Sequence, residues 1–249
     1  MKKKILVLCL VVALAVTAVV GGTLAYFTDT DAKTNTFTTG KVDITLNETF
    51  TQESKLLPGK DIAKIVNVTN NEEDAYVRLH IAFPADTIYY GNDGVQEYNN
   101  LVHFNQKYAS LVAGEWNWTP TSAGVGGNYP GYPGNGTNYN TYTTTIGGVE
   151  YRVFVVTYMT KLTEGATTKT NAMFNVYLDK YADTTDGETY TAPANVDYRT
   201  AAMSSNLNNY KILIVAEGCQ AEGFNDPYTA LNTSFGVPSS TNNPWTKAA

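Results

Sequence analysis

The sequence predicts an all-β protein, a jelly-roll-like β-sandwich with one short helix near the C-terminus and long loops. Three observations predict it. The 249 residues include 35 Thr, 24 Asn, 18 Tyr and 20 Gly. Thr and Tyr suit a pleated surface, while Asn and Gly suit turns. Several short runs alternate apolar and polar residues with period two. Between those runs stand Pro-Gly, Asn-Asn and Gly-Gly turn signals. Only 16% of the residues are charged, against roughly 25% in an ordinary soluble domain. The surface must therefore be polar by other means.

The chain opens with Met1-Lys2-Lys3-Lys4, and Ile5 to Val20 follows without a charge. Gly21-Gly22 breaks the run, and Thr23 and Ala25 place small residues at −3 and −1 of a cut before Tyr26. A basic start, a short apolar run and a small-residue junction predict a secretory signal peptide over 1–25. An uncleaved anchor is the alternative. Sixteen helical residues span about 24 Å, short of a hydrocarbon core of about 30 Å. An arm over 26–38, a sandwich over 39–236 and a flexible tail over 237–249 complete the expected organisation. The expected location is secreted, at the cell surface or in the extracellular matrix.

Removing Lys2, Lys3 and Lys4 takes the formal charge from −6 to −9. Such a chain lacks the basic face that phosphate binding needs, so no nucleic-acid partner is expected. Cys9 leaves with the signal. Cys219 then stands alone, no internal disulfide can form, and a buried small side chain is the expected role for it.

The strands follow in order. Val42, Ile44 and Leu46 alternate with Lys41, Asp43 and Thr45. Leu57-Pro58-Gly59-Lys60-Asp61 is a turn, and Ile62, Val66 and Val68 form a second strand stopped by Asn70-Asn71. Ala75, Val77, Leu79, Ile81 and Phe83 alternate most cleanly, with Tyr76, Arg78, His80 and Ala82 on the other face and Pro84 at the end. Thr141–Ile146, Gly147-Gly148 and Val149–Met159 read as a hairpin. Ala172–Leu178 and Lys211–Ala216 add two more strands. One helix is signalled, with Asp226 as its cap, Pro227 in its first turn and Gly236 as its stop. Tyr228, Leu231 and Phe235 share one of its faces. Lys55–Gly59 and Lys161–Gly165 echo each other as shared turn chemistry.

The junction Gly21-Gly22-Thr23-Leu24-Ala25-Tyr26-Phe27-Thr28-Asp29 and the following Phe37-Thr38-Thr39-Gly40-Lys41-Val42-Asp43-Ile44 resemble the TasA/camelysin family. Leu57-Pro58-Gly59, Asn70-Asn71, Glu217–Phe224 and the Ala230–Gly236 helix also look like that family. The resemblance is specific over 21–83 and 211–236 and thin over 85–210. It implies a jelly-roll subunit of extracellular biofilm-matrix fibres, with its signal removed by a SipW-type signal peptidase. In such fibres the freed N-terminal segment adds as a strand to the next copy of the chain. Here the implied donor strand is 26–38, with Tyr26, Phe27, Asp29 and Phe37 as its marked residues. A sheet edge offers unpaired N–H and C=O groups to such a strand, and head-to-tail addition makes filaments. A matrix polysaccharide or an anchoring protein are the further partners considered.

The camelysin branch also carries a metallopeptidase label. That chemistry needs zinc held by His or carboxylate ligands. His-Glu-x-x-His is absent, and His80 and His103 are 23 positions apart. No enzymatic activity and no cofactor are expected, and a secreted metallopeptidase is the distant alternative. Asp29-Thr30-Asp31, Asn92-Asp93-Gly94 and Asp183–Glu188 are oxygen-rich turns without EF-hand spacing. The nearer alternative is a carbohydrate-binding or adhesion module using the loop 114–142. Its candidate contact residues are Trp116, Trp118, Tyr129, Tyr132, Tyr139 and Tyr142, since exposed rings offer contact area at low entropy cost. The other reading has Trp116 and Trp118 packed over one end of a sheet.

Overall fold

Alternating side chains build two antiparallel sheets and the core between them. The computed structural model describes residues 41–51, 54–91, 94–105, 115–119 and 139–247. The chain divides into two units, Met1–Thr39 and Gly40–Ala249, and the described residues all lie in the second. The expected signal and arm, with Thr23, Ala25, Tyr26, Phe27, Asp29 and Phe37, lie outside the described residues. So do Tyr129 and Tyr132.

The first sheet holds β1 (Ile44–Phe50), β2 (Ile62–Asn70), β10 (Met173–Leu178) and β6 (Val102–Phe104), in that order. The second runs β13 (Leu213–Gln220), β3 (Ala75–Pro84), β9 (Val149–Tyr158) and then β7 (Trp116–Asn117). β8 (Thr141–Ile146) also pairs with β9. Because β9 meets β3 along one edge, β8 and β7 follow each other along its other edge. Two short hairpins, β4 (Tyr90–Gly91) with β5 (Gly94–Val95) and β11 (Thr189–Ala192) with β12 (Met203–Asn206), lie apart from both sheets. The chain crosses between sheets from β2 to β3, from β3 to β6, from β6 to β7, from β9 to β10 and from β10 to β13. The expected all-β sandwich is the observed architecture.

Val66 and Val68 of β2, Val77, Leu79, Ile81 and Phe83 of β3, Phe104 of β6, and Phe154 and Val156 of β9 meet in the core. Phe83 and Phe104 stack across the two sheets at 4.5 Å between ring centroids. Burying such side chains is worth roughly 1.5–3 kcal/mol each, which holds the sheets together without a disulfide. Cys219 is a free thiol, buried in a smaller cluster with Ala230 and Leu231. Burial pushes its thiol pKa up, which fits the inert role expected of it.

Local signals placed several elements correctly. Ile146 pairs with Val149, and Gly147 and Gly148 between them have φ of 58° and 84°. Two successive positive φ values are what a type I′ hairpin turn demands. The two echoing segments make the same turn. Lys60 N–H donates to Leu57 C=O and Ala166 N–H to Thr163 C=O, with Gly59 and Gly165 at φ of 69° and 71°. Helix α1 (Pro227–Phe235) is capped by Asp226, whose carboxylate accepts from Thr229 N–H at 2.9 Å. Its buried face is Pro227, Ala230 and Leu231; Tyr228 and Phe235, expected on that face, are only partly covered.

Residues 237–247, within the tail expected over 237–249, carry local side-chain bonds. Among the described residues, Asn242 and Asn243 amides donate to Phe235, Val237, Ser239 and Ser240 carbonyls. A short helix α2 (Pro244–Lys247) follows, and Trp245 packs against the cluster formed by Ala82, Tyr142, Tyr151, Val153 and Val155. Asn side chains that bind local backbone replace the missing apolar content, a device that composition alone does not reveal.

The edges β1 and β13 approach each other closely at one end. A Cβ built on Gly218 would meet Ile44 Cδ1 and Cγ2 at 2.9 Å. Gly218→Ala is therefore expected to cost about 1–3 kcal/mol by overpacking, read as a lower urea midpoint with an unchanged slope. An Ile44→Val change in the same chain should restore part of the loss.

Candidate functional site

The two histidines lie in two separate buried networks. His80 lies on β3 on the side away from the core, where a surface or cross-strand position was expected. It is cross-strand, but it is fully buried rather than at the surface. Its Nδ1 is 2.8 Å from the Tyr142 hydroxyl and its Nε2 is 3.1 Å from Glu217 Oε2. Arg78 Nε donates to the same carboxylate oxygen at 2.6 Å. Its other nitrogens reach Asn232 Oδ1 at 3.0 Å and the Gly236 carbonyl at 3.2 Å. A neutral His80 can accept from the phenol and donate to the carboxylate, so the ring is satisfied on both sides. Burial alone would raise Glu217, but the bonds from His80 and Arg78 bring its carboxyl below the usual range. Helix α1 and Trp245 cover this network.

His103, on β6, belongs to a second buried network on the other sheet. Its Nε2 is 2.8 Å from Asp179 Oδ2, and its ring stacks on Tyr177 at 5.0 Å. Arg199 Nη1 donates to the same Asp179 oxygen at 3.0 Å and to the Asn100 carbonyl at 2.8 Å. Arg199 also binds the Asn99 and Pro193 carbonyls. Three loops are thereby held by one side chain.

Each histidine is thus committed to its own carboxylate, one on each sheet and both facing away from the shared core. They are the only two histidines in the sequence. Zinc in a peptidase needs three converging protein ligands. Among the described residues no three of His, Cys, Asp and Glu converge. The described residues do not fit a zinc-peptidase centre.

The turn Asp183–Glu188 is likewise occupied by its own bonds. Asp186 Oδ1 accepts from Glu188 N–H, Thr189 N–H and Thr184 Oγ1. Those bonds lower its carboxyl to about 2. The other two oxygen-rich turns fall largely outside the described residues.

The aromatic residues separate into two groups. Trp116 and Trp118 are 2% and 1% exposed and sit in the core, as the packing alternative held. They are two apart, so one short strand points both inward. Trp116 Nε1 donates to the Thr170 carbonyl at 2.9 Å. Tyr142 is buried against His80. Tyr139 is half-buried, its ring 5.9 Å from that of Phe154. These four do not form the exposed binding surface that the loop composition suggested.

A groove opens between the two sheets. The β1 and β13 edges meet at Ile44 and Gly218 and part toward Phe50 and Ile212. The opening is about 840 Å³. Phe50, Leu56, Ile62, Val176, Tyr210 and Ile212 give it apolar walls. Lys64 projects into it, 4% exposed at the side chain, 2.7 Å from Glu48 Oε1 and 4.7 Å from the Phe50 ring centre. Among the described residues β1 pairs only with β2, and β13 only with β3. Among the described residues, neither strand flanking the groove has a second strand paired on its groove side. Sequence reasoning missed this feature; the charged Lys64 among Ile62, Val66 and Val68 on the inward side of β2 was its one local trace.

Fold and groove together define an all-β sandwich whose two sheets part along one side, between β1 and β13. The model of the camelysin metallo-endopeptidase family matches residues 1–81, which bears out the TasA/camelysin resemblance. That match covers the expected signal junction, β1, β2 and most of β3. No curated protein matches the chain.

Proposed function

We propose that this chain is a secreted structural subunit of extracellular fibres, built by adding residues 26–38 of one copy as a strand to the next. The observation that supports this reading most is the groove between β1 and β13. An apolar mouth flanked by two strand edges that no described residue pairs suits an incoming strand, since main-chain bonds give affinity and side-chain pockets give specificity. Thirteen extended residues span about 43 Å, ample for a groove bordered by a seven-residue strand. The signal peptidase acts as the switch, because only a cleaved N-terminus can leave its own copy. The chain is not an enzyme in this reading, as neither histidine is placed to hold a metal. Adhesion through the 114–142 loop is less favoured, because its Trp residues are in the core.

Electron microscopy of the mature protein tests the proposal. Filaments are expected, and they should vanish when residues 26–38 are deleted or when the signal is retained. A mature protein that stays monomeric at high concentration overturns it. Casein should remain intact in the same preparation.

A further inference from the structure

We infer that β1, rather than β13, is the strand edge that receives the incoming segment, and that a Thr/Asn ladder sets its orientation. This rests on the fibre reading above.

The outward side of β1 and β2 carries no charge. It presents Thr45, Asn47 and Thr49 beside Ala63, Ile65, Asn67 and Thr69. Their side chains bond in rows across the strands. Asn47 Nδ2 donates to Asn67 Oδ1 at 2.9 Å, and Asn67 Nδ2 donates to Asn171 Oδ1 at 3.1 Å. Thr69 and Thr167 hydroxyls lie 2.8 Å apart, and Asn71 Nδ2 donates to Thr45 Oγ1 at 2.9 Å. Each row stops at β1, the last strand of its sheet among the described residues.

The arm has a matching row. From 28 to 38 every second residue is Thr28, Thr30, Ala32, Thr34, Thr36 and Thr38. The intervening set is Phe27, Asp29, Asp31, Lys33, Asn35 and Phe37. In a strand those two sets face opposite ways. Paired on β1, the Thr row continues the ladder, where Thr–Thr and Thr–Asn neighbours are favourable. The other set then turns toward the groove. Its charged middle meets the Lys64–Glu48 pair, and one aromatic end meets the apolar wall toward Phe50. On β13 the Thr row would instead lie beside Leu213, Val215, Glu217 and Cys219, the residues paired with the outward side of β3. That side offers no hydroxyl or amide row.

The strand comes from a second copy. Asp43 C=O accepts from Asn71 N–H at 2.8 Å, and Lys41 Nζ lies 3.6 Å from Glu72 Oε1. Residues 41–43 thus run on past the β2–β3 turn, in line with β1, rather than folding back along it.

Disulfide trapping tests the assignment in the mature chain with Cys219→Ala. Thr34→Cys is combined in turn with Thr45→Cys, Asn47→Cys, Thr49→Cys or Val215→Cys, and oxidised filaments are run on non-reducing gels. A ladder of multimers is expected from at least one β1 position and none from Val215→Cys. Filaments that cross-link only through Val215→Cys, or through none of the four, overturn the β1 assignment and leave the fibre reading standing. Monomers carrying an internal disulfide show a strand folded back on its own copy and overturn the second-copy assignment. Absence of filaments in the Cys219→Ala parent, with filaments also absent in the unaltered chain, overturns the fibre reading itself.

Discussion

Arg78→Met is expected to remove about 3–5 kcal/mol of folding stability, the usual cost of breaking a buried ion pair by taking one partner. The guanidinium is the cation beside Glu217, and both side chains are under a tenth exposed. Met fills much of the volume but leaves the carboxylate charge buried and the Gly236 carbonyl without its donor. The measurement is the urea midpoint at neutral pH. Adding Glu217→Gln should recover part of the loss, because the stranded charge is gone; a fully additive double variant would show that the two residues do not act together. Wild-type Glu217 has a lowered carboxyl, so its stabilising contribution is present above the unfolded value and lost as pH falls through the folded one. Without Arg78 that carboxyl moves up, and the gap between variant and wild type should narrow in acid. Because Arg78 also binds Asn232 and Gly236, amides of α1 should exchange faster in the variant.

Glu97 is expected to give the opposite slope. It sits on a short 3₁₀ turn, Glu97–Asn99, and is 3% exposed. Its Oε1 has no hydrogen-bond partner. Burial is the main cause that raises its carboxyl to about 7, against an ordinary value of 4.5, with the neighbouring Tyr139 phenol offsetting a part. A raised carboxyl stabilises the fold below the unfolded value and loses that contribution as pH climbs to the folded one. Between pH 4.5 and 7 the protein should therefore lose roughly 3 kcal/mol at this one position. Glu97→Gln keeps the shape and removes the titration. Urea midpoints at pH 5 and pH 8 should differ less in the variant than in the wild type. Parallel curves would show that another group carries the change.

Local chemistry was legible in the sequence, and long-range covering was not. The Gly147-Gly148 hairpin, the Asp226 cap and the paired glycine turns depend on neighbours within four residues, so composition and order suffice. The alternation in β3 correctly put Arg78 and His80 on the side away from Val77 and Leu79. It could not show that α1 and Trp245, about 150 residues later, close over that side and make both residues core. Trp116 and Trp118 were read with the Gly/Asn-rich loop after them, although their spacing of two already placed both on one face of a strand. Arg199 left no signal, because its partners are the Asp179 carboxylate and carbonyl groups near residues 100 and 193, which the chain brings together only once folded. The groove was invisible for the same reason, since its walls come from segments near residues 50, 62, 176 and 210.

The uncharged outward side of β1 and β2 has a consequence for the setting in which such a protein would work. Attraction between ions fades as salt rises, over a screening distance of about 10 Å at 0.1 M. Hydroxyl and amide contacts carry no such dependence. An assembly joined along this face would hold together in brine much as in fresh water, with only the Lys64–Glu48 neighbourhood sensing the difference.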